Sequence, residues 1–301
     1  MKKLLFSIIV TVLSLTVYCQ DIESDANVVK GRALLESGNC SMALEYFEKA
    51  AKSGNMAAMF EIGKLYIDGK CYEVDINKVV YWYKAAAEKG YTPAQIALAS
   101  VYYNDKLGNK DNAQAAKWAE EALKRIDNDD FSLNLMYIIL SNIYSTDPNL
   151  RNDRKAVEYY EKLYKVSSQF VRQNMRQDIF KKLLYLYLEG DGVQDDEKAI
   201  NICLDANPDL KDRYKAMTII GEMYSNDNHG LKQDYNKMLK WIRRAANAGC
   251  AEAQYDLAVF YYQGLGVPQN VQDAKYWLQK AANQGYTQAQ EDLETLKNMG
   301  Y

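Results

Sequence analysis

The sequence predicts an all-α protein built as a solenoid of short helix-turn-helix repeats. Similar strings recur 36 residues apart: YFEKAAKSG and WYKAAAEKG end at Gly54 and Gly90, while WIRRAANAG and WLQKAANQG end at Gly249 and Gly285. Within each copy, apolar and small residues are spaced by three and four positions, as on one face of an α-helix. The composition, with 48% hydrophobic residues and only 4 Pro among 301 residues, is that of an ordinary globular chain.

The first residues are expected to lie outside this fold. A basic MKK start precedes residues 4–18, which carry no charge and suit a signal-peptide core better than a spanning helix. Val17 and Cys19 would be the small residues before the cleavage site. Residues 1–19 are therefore predicted to be a signal peptide and residues 20–26 a linker. The alternative is a lipid anchor on Cys19, which the bulky preceding tyrosine disfavours.

This start predicts an exported protein, located in the periplasm of a Gram-negative bacterium. No other stretch of the chain is long and apolar enough to cross a membrane. The mature chain is therefore expected to have no transmembrane segment.

The second helix of each unit carries a large side chain at one position of the repeat. All four tryptophans fall on this position, and three of them lie eight residues before a glycine. A small or apolar residue lies three positions earlier in every copy. The seven anchors are Tyr46, Trp82, Trp118, Tyr159, Ile202, Trp241 and Trp277. The earlier residues are Ala43, Val79, Ala115, Ala156, Ala199, Met238 and Ala274.

The first helix of each unit carries a second motif. It reads large apolar, small, any two residues, then Tyr, as in the string from Ile62 to Tyr66. The small residue is expected to let the second helix approach closely, while Tyr and Trp fill the gap between units. Further copies begin at Leu98, Leu140, Ile220 and Leu257, with a looser copy at Leu183.

This pattern resembles the Sel-one-like repeat family, which is related to the tetratricopeptide repeats. Residues 261–285, YYQGLGVPQNVQDAKYWLQKAANQG, are the best copy, and residues 187–199 contain the same Gly-x-Gly-Val loop. The resemblance covers about residues 27–290. It implies a right-handed α/α solenoid of about seven helix-turn-helix repeats over residues 27–301, in which residues 287–301 form a C-terminal capping helix.

The spacing between units is not uniform. The second-helix anchor and the next first-helix Tyr are 20 residues apart in three units, but 26 apart from Trp118 to Tyr144 and 28 apart from Tyr159 to Tyr187. The extra residues predict either longer helices and turns or a bend that shapes a binding surface. We favour longer helices and turns.

The residues needed for catalysis or metal binding are not grouped in this sequence. His229 is the one histidine, so mechanisms and metal sites that need a His pair are excluded. Lys52-Ser53-Gly54 is similar to one element of penicillin-recognising enzymes, but no Ser has a Lys three residues later, as their nucleophile motif requires. The acidic clusters lack the residue spacing of a calcium-binding loop. The net charge of −3 does not favour the binding of nucleic acid. We therefore predict no catalytic residue, no cofactor and no metal. The acidic clusters, expected to be solvated loops, are Asp127, Asp129 and Asp130, and Asp191, Asp195 and Asp196.

Four cysteines follow the predicted signal peptide. Cys40 and Cys71 fall in loops of neighbouring units, so they form either a disulfide or two free thiols, depending on the distance between their Cα atoms. Cys203 and Cys250 occupy unlike positions of different units and are expected to be buried thiols. Cysteine-rich members of the resembling family pair two cysteines within one repeat, and no unit of this chain has such a pair.

The family resemblance also implies a binding groove. In tetratricopeptide-like solenoids the first helices line a concave surface, at positions two before and two and five after the large apolar anchor. Offsets of four and three residues place these positions on one helical face. The expected partner-binding residues are Phe60, Lys64, Ser100, Tyr103, Asn142, Lys181, Tyr185, Glu222, Tyr255, Val259 and Tyr262. Ile96 and Ile138 share these positions, with burial in the core as the alternative.

Three functions fit these observations. The first is an exported, monomeric and non-catalytic adaptor that binds an unidentified protein or peptide. The second is a hydrolase of cell-wall material or β-lactams, as some cysteine-rich relatives are credited with. The third is a scaffold for exopolysaccharide export whose tyrosines stack on sugars.

Overall fold

The computed structural model describes residues 24–126, 129–165, 173–206, 213–225 and 231–301. The predicted signal peptide, Cys19, Asp127 and His229 lie outside these residues. The chain divides into two compact units, Met1–Phe170 and Val171–Tyr301. The described residues contain fifteen α-helices and no strand, which confirms the predicted all-α class and the α/α solenoid.

The first unit contains eight helices that pack as four successive pairs, α1 on α2 through α7 on α8. The second helix of each of the first three pairs also packs on the first helix of the following pair, so neighbouring pairs within this unit hold one another. The helices are α1 (Ala26–Glu36), α2 (Cys40–Lys52), α3 (Met56–Ile67), α4 (Ile76–Glu88), α5 (Thr92–Tyr103), α6 (Asn112–Leu123), α7 (Asp130–Thr146) and α8 (Asp153–Lys165). A 3-10 turn, Asp105–Leu107, lies between α5 and α6.

The second unit contains three further pairs and a last helix that packs on the seventh pair. The helices are α9 (Gln173–Glu189), α10 (Asp196–Ala206), α11 (Arg213–Met223), α12 (Tyr235–Asn247), α13 (Ala251–Gln263), α14 (Val271–Asn283) and α15 (Thr287–Asn298). Helix α15 is the expected cap, because Ala289 and Leu296 are buried against α13 and α14 and Leu293 is partly buried beside them.

In two helix pairs the helices approach closely at a small residue of the first helix, which the sequence predicted at Gly63 but not at Gly31. A Cβ atom on Gly63 would lie 2.4 Å from the Tyr83 ring, and one on Gly31 would lie 2.5 Å from the Phe47 ring. The ring at each of these two contacts belongs to the residue after the anchor, a position to which the sequence analysis gave no role. This following residue is buried in all seven units, at Phe47, Tyr83, Ala119, Tyr160, Cys203, Ile242 and Leu278.

Helical spacing explains why the residue after the anchor, rather than the anchor itself, contacts the first helix of the pair. The residue after the anchor lies four positions beyond the small residue that precedes the anchor, so both point to the same side of the second helix. Ala43 and Phe47, which are both fully buried, show this pairing in α2. The anchors themselves vary in burial: Trp118 and Trp241 are buried, whereas Trp82 and Trp277 are only partly buried.

Turn chemistry explains where the helices begin and end. The amide of Asp75 donates to the Tyr66 carbonyl at 3.0 Å, and the Asp75 carboxylate accepts from the amide of Lys78, capping α4. The same turn recurs in later units, where Asp195 caps α10. This acidic residue therefore has a capping role, although it was expected to be part of a solvated loop. The second helices that end in the aligned strings stop at a glycine of positive φ, which has no steric penalty there: Gly54, Gly90, Gly249 and Gly285.

A lysine four residues before the second-helix anchor stacks over the Tyr that ends the first-helix motif. Lys155 Nζ lies 4.6 Å from the Tyr144 ring centre and also donates to Glu120 at 2.6 Å, as does the Tyr144 hydroxyl. Such cation–π contacts bind one helix to the next in four units. The pairs are Lys78 with Tyr66, Lys155 with Tyr144, Lys198 with Tyr187 and Lys237 with Tyr224.

The irregular spacing corresponds to longer helices. Helices α7 and α9 have 17 residues each, whereas the other helices have 11 to 13. Longer helices are the alternative that the sequence favoured for these two regions.

Candidate binding surface

The expected partner-binding residues lie on the first helices of the repeats, and we call the surface that they form the first-helix face. These residues differ in their exposure to solvent. Phe60 and Ser100 are 4% and 1% exposed, so they belong to the core rather than to a surface that a partner reaches. Ile96 and Ile138 are buried with them, which supports the core alternative for these two residues. The partly exposed residues are Lys64, Tyr103, Asn142, Tyr255 and Val259. The exposed residues are Lys181, Tyr185, Glu222 and Tyr262.

In the first unit, the side chains of Phe60 and Lys64 on this face contact other side chains of the fold. The Phe60 ring stacks on Tyr83 with 5.1 Å between ring centres. Lys64 Nζ lies 2.8 Å from the buried carboxylate of Glu61, which also accepts from Arg32 Nε at 2.8 Å. These contacts join α1, α3 and α4, and they use side chains that the sequence assigned to a partner.

Farther along the first unit, polar side chains bind one another. The Tyr160 hydroxyl donates to Asn142 Oδ1 at 3.1 Å and lies 3.1 Å from Ser145 Oγ. The buried Ser100 hydroxyl donates to the backbone carbonyl of Ile96 at 2.9 Å. Burial, followed by the neighbouring Tyr160, raises the pKa of the Tyr103 phenol. The face around α5 and α7 is therefore largely occupied by its own hydrogen bonds.

In the second unit, the corresponding face is open. Lys181 and Tyr185 lie one turn apart on α9, and the Tyr185 side chain is 40% exposed. Tyr262 on α13 is 38% exposed. Exposed tyrosines of this kind are frequent anchors in protein–protein interfaces, because the ring has a large area and little conformational entropy to lose.

Tyr255, Val259 and Tyr262 line a pocket of about 260 Å³ that α15 closes on its other side. The lining from α15 includes Asp292 and the buried Leu296, and Met299 follows that helix. The sequence analysis assigned α15 only a capping role and missed this contribution. The pocket was not visible in the sequence of this helix alone, because its lining comes from α13, α14 and α15 together.

Acidic side chains lie beside this pocket. Burial, followed by the nearby Glu222 and Glu252 carboxylates, raises the pKa of Asp256 to about 7. Asp256 and Glu252 lie on α13, and Glu222 lies on the neighbouring α11. No lysine or arginine among the described residues forms an ion pair with Asp256 or Glu252, and the raised pKa leaves the Asp256 carboxyl only partly ionised near neutral pH.

The cysteines divide as the sequence allowed. Cys40 and Cys71 form a disulfide with 5.6 Å between their Cα atoms, which selects one of the two alternatives. The bridge joins the start of α2 to the loop between α3 and α4, so it links two neighbouring repeats. Cys203 and Cys250 are buried thiols outside the disulfide, as expected, and burial raises the pKa of Cys203 to about 11.

Neither a metal-binding group nor a membrane-spanning helix is present among the described residues. Their His, Cys, Asp and Glu side chains form no group that could hold a metal ion. None of their helices combines the length and the apolar character required to cross a bilayer.

Comparison with known families decides the identity of the repeats. The sequence profile of the Sel1 repeat matches seven segments that together cover more than half of the chain. They are residues 30–55, 57–91, 92–125, 150–165, 185–201, 215–250 and 251–286. The chain belongs to the Sel1 repeat family. Sel1 repeats mediate protein–protein interaction, and the seven matches agree with the seven units expected from the anchors.

Two curated yeast proteins are similar to this Sel1 repeat protein. Chitin synthase regulatory factor 3 of Schizosaccharomyces pombe is 28% identical over 234 residues, covering 77% of this chain and 24% of its own length. Chitin synthase regulator SKT5 of Saccharomyces cerevisiae is 24% identical over 243 residues, covering 77% of this chain and 33% of its own length. The chain thus spans only about a quarter to a third of these relatives.

Solved structures include two similar bacterial proteins. A Sel1 repeat protein from Oxalobacter formigenes is 23% identical, with a TM-score of 0.47 and coverage of 96% of this chain and 94% of that chain. A protective antigen of uropathogenic Escherichia coli with an SLR fold is 24% identical, with a TM-score of 0.43 and coverage of 95% and 60%. At these scores the likeness adds no argument beyond the family.

Proposed function

We propose that this Sel1 repeat protein is an exported, non-catalytic and monomeric adaptor that binds another protein or a peptide. The binding surface is the first-helix face of the second unit. The observation that carries the proposal is the exposure of Tyr185 and Tyr262 on this face, in a family whose repeats mediate protein–protein interaction. Lys181, Glu222, Tyr255 and Val259 share the face and would contact the same partner.

Export is supported by two features of the chain. Residues 1–19 have the composition of a signal peptide, with lipidation of Cys19 as the alternative. The Cys40–Cys71 disulfide also supports export, because disulfides form and persist mainly in oxidising compartments such as the periplasm.

The disulfide gives a direct test of export. A chain beginning at Gln20 and recovered from the periplasm should show two free thiols when denatured without reductant and four after reduction. Four thiols before reduction would contradict an exported, oxidised protein. A Cys71→Ser variant is the matched control and should show three thiols in both conditions if Cys40 has no other partner.

The non-catalytic character is supported by the local structure of the Lys-Ser-Gly string. Ser53 caps the end of α2, and its hydroxyl donates to the Lys49 carbonyl at 3.4 Å. The yeast relatives are named as regulators of chitin synthase, which agrees with a protein that acts on an enzyme rather than as one. Hydrolysis of a β-lactam or of peptidoglycan by the purified protein would contradict this part of the proposal.

The adaptor proposal is tested by crosslinking capture from native envelope extract, with mass spectrometry as the readout. The parent is compared with a triple Tyr→Ala variant at Tyr185, Tyr255 and Tyr262. A protein that the parent captures and the variant loses, at equal helical content by circular dichroism, is the expected result. Equal capture by parent and variant would overturn the proposed surface.

The matched control removes three exposed tyrosines from second helices. A triple Tyr→Ala variant at Tyr81, Tyr235 and Tyr276 changes the same residue type with exposures of 66%, 40% and 54%. It should retain the partner that the first-helix variant loses. Loss of capture by both variants would mean that binding depends on exposed tyrosines in general and not on the first-helix face in particular.

A scaffold for exopolysaccharide export is the second candidate, favoured by two aromatic pairs on second helices. Tyr81 with Trp82, and Tyr276 with Trp277, are edge-to-face pairs with ring centres 5.2 and 5.1 Å apart. Such exposed rings are suited to stacking on sugars, and the yeast relatives regulate a polysaccharide synthase. Glycan binding that is lost in the second-helix variant would favour this candidate over peptide recognition.

A further inference from the structure

The pocket between α13 and α15 has the shape of a side-chain receptor. Its volume of about 260 Å³ is well above the roughly 30 Å³ that one water molecule takes in the liquid. Val259, Leu296 and Met299 give it apolar walls, and the tyrosine rings of Tyr255 and Tyr262 add aromatic ones. A long side chain with an apolar stem would fit along these walls.

The polar part of the pocket is negatively charged. Asp292 lines it beside Tyr255, and burial together with this carboxylate raises the pKa of the Tyr255 phenol to about 12. In the described part of the chain no lysine or arginine forms an ion pair with Asp292. Lys297, on the same helix, pairs instead with Glu294 at 4.0 Å.

The surroundings increase this negative potential. Glu252 lies on α13, the helix that supplies both pocket tyrosines, and Glu222 lies on α11. Together with burial, these two carboxylates raise the pKa of Asp256 to about 7, so Asp256 itself adds only part of a negative charge near neutral pH. Carboxylates grouped in this way attract a cation before contact and favour it after contact. The apolar pocket is thus placed beside a surface whose charge is complementary to a basic segment.

We propose that this pocket binds a lysine or arginine side chain from a basic segment of the partner protein. The stem would pack on Val259, Leu296 and Met299. The cationic head would face Asp292 and the tyrosine rings, which attract cations through their π-faces. The inference deepens the proposed function, and it rests on the proposal that the first-helix face of the second unit binds a protein.

An apolar side chain is the less suitable occupant. It would cover Asp292 and remove water from the carboxylate without supplying a compensating charge or hydrogen bond, which is unfavourable. A cation removes that penalty and also lowers the repulsion around Asp256. The charge of the pocket therefore selects between two occupants of similar shape.

The experiment compares two blocked pentapeptides, acetyl-Gly-Gly-Arg-Gly-Gly-amide and the same peptide with citrulline in place of arginine. Citrulline keeps the shape of arginine but is neutral. Binding to the protein is followed by NMR of the methionine methyl groups, with the Met299 signal assigned through a Met299→Leu variant. The arginine peptide should shift the Met299 methyl in a saturable way and bind at least about fivefold more tightly than the citrulline peptide.

Two variants complete the test. Asp292→Asn should reduce the preference for arginine to about one, because it keeps the shape of the pocket and removes its charge. Glu294→Gln, an exposed residue of the same helix, should retain the preference. Equal binding of the two peptides, no saturable shift with either, or an unchanged preference in Asp292→Asn would overturn the basic-residue pocket.

Failure of this inference is distinguishable from failure of the proposed function. If the tyrosine surface captures its partner but arginine has no advantage over citrulline, the adaptor proposal stands and the partner chemistry is wrong. If capture is independent of the tyrosines while the Met299 shift still selects arginine, the adaptor surface is wrong and the pocket has another ligand.

Discussion

The two units use the same repeat face in different ways. In the first unit, Phe60 is stacked on Tyr83 in the core and Lys64 is paired with a buried carboxylate. In the second unit, Tyr185 and Tyr262 on corresponding helices are about 40% exposed. The difference teaches that a face defined by helical spacing need not have one role. Local packing decides whether the side chains of this face are buried within a given repeat or remain exposed to a ligand.

The largest expected effect is on the free energy of unfolding, when the buried Phe60 ring of the first unit or the exposed Tyr262 ring of the second unit is removed. Phe60→Ala should lower the free energy of unfolding by about 3 kcal/mol or more, since it leaves a cavity beside Tyr83. Tyr262→Ala, at an exposed position of the same kind of face in the second unit, should change it by no more than about 0.5 kcal/mol. Urea unfolding followed by circular dichroism measures both. Similar losses for the two variants would remove the distinction between the units.

The next effect concerns the close approach of helix pairs in each unit. Gly63→Ala would place a Cβ 2.4 Å from the buried Tyr83 ring and should cost about 2 kcal/mol despite the better helix propensity of alanine. Gly221→Ala would meet the flexible end of Ile242 at 3.0 Å and should cost less than about 1 kcal/mol. Thermal and urea unfolding of the two variants test the order. A more stable Gly63→Ala variant would show that the ring moves aside freely.

The fold was largely predictable because it depends on a period, and a period is visible in one sequence. The Trp and Tyr anchors located every second helix, and the small residues such as Gly63 located every close contact. The residue that contacts Gly63 was not assigned, since Tyr83 and Trp82 are both large and only the helical phase relative to Val79 distinguishes them. Burial in three dimensions resolves that phase.

The candidate site was less predictable because exposure depends on neighbouring units. Spacing placed Phe60 and Tyr262 on the same kind of face, but only the structure shows that one ring is covered and the other is not. The contribution of Asp292 to the pocket was missed for a related reason. A sequence reveals which residues share one helix face, whereas a pocket depends on the distance between two helices.

The smallest expected effect is on the pH dependence of stability. It compares one carboxylate from each unit, Glu120 in the first and Asp256 in the second. Asp256 has a pKa of about 7, raised by burial and by Glu222 and Glu252 above the usual value near 3.9. For Glu120, burial is opposed by hydrogen bonds from Lys155 and Tyr144, and the pKa is lowered. The two groups therefore shift stability with pH in opposite directions.

For Asp256, the folded protein binds a proton more tightly than the unfolded chain. Its contribution to stability is fully present below about pH 4 and is lost as the pH rises through about 7. Asp256→Asn should therefore raise the free energy of unfolding by about 1 to 2 kcal/mol at pH 8 and change it little at pH 4. For Glu120, the contribution is present above the unfolded pKa and is lost as the pH falls, so Glu120→Gln should be destabilising at pH 8. Urea unfolding at both pH values measures each variant against the parent. An Asp256→Asn variant no more stable than the parent at pH 8 would mean that burial and the neighbouring Glu222 and Glu252 do not disfavour the ionised form of Asp256.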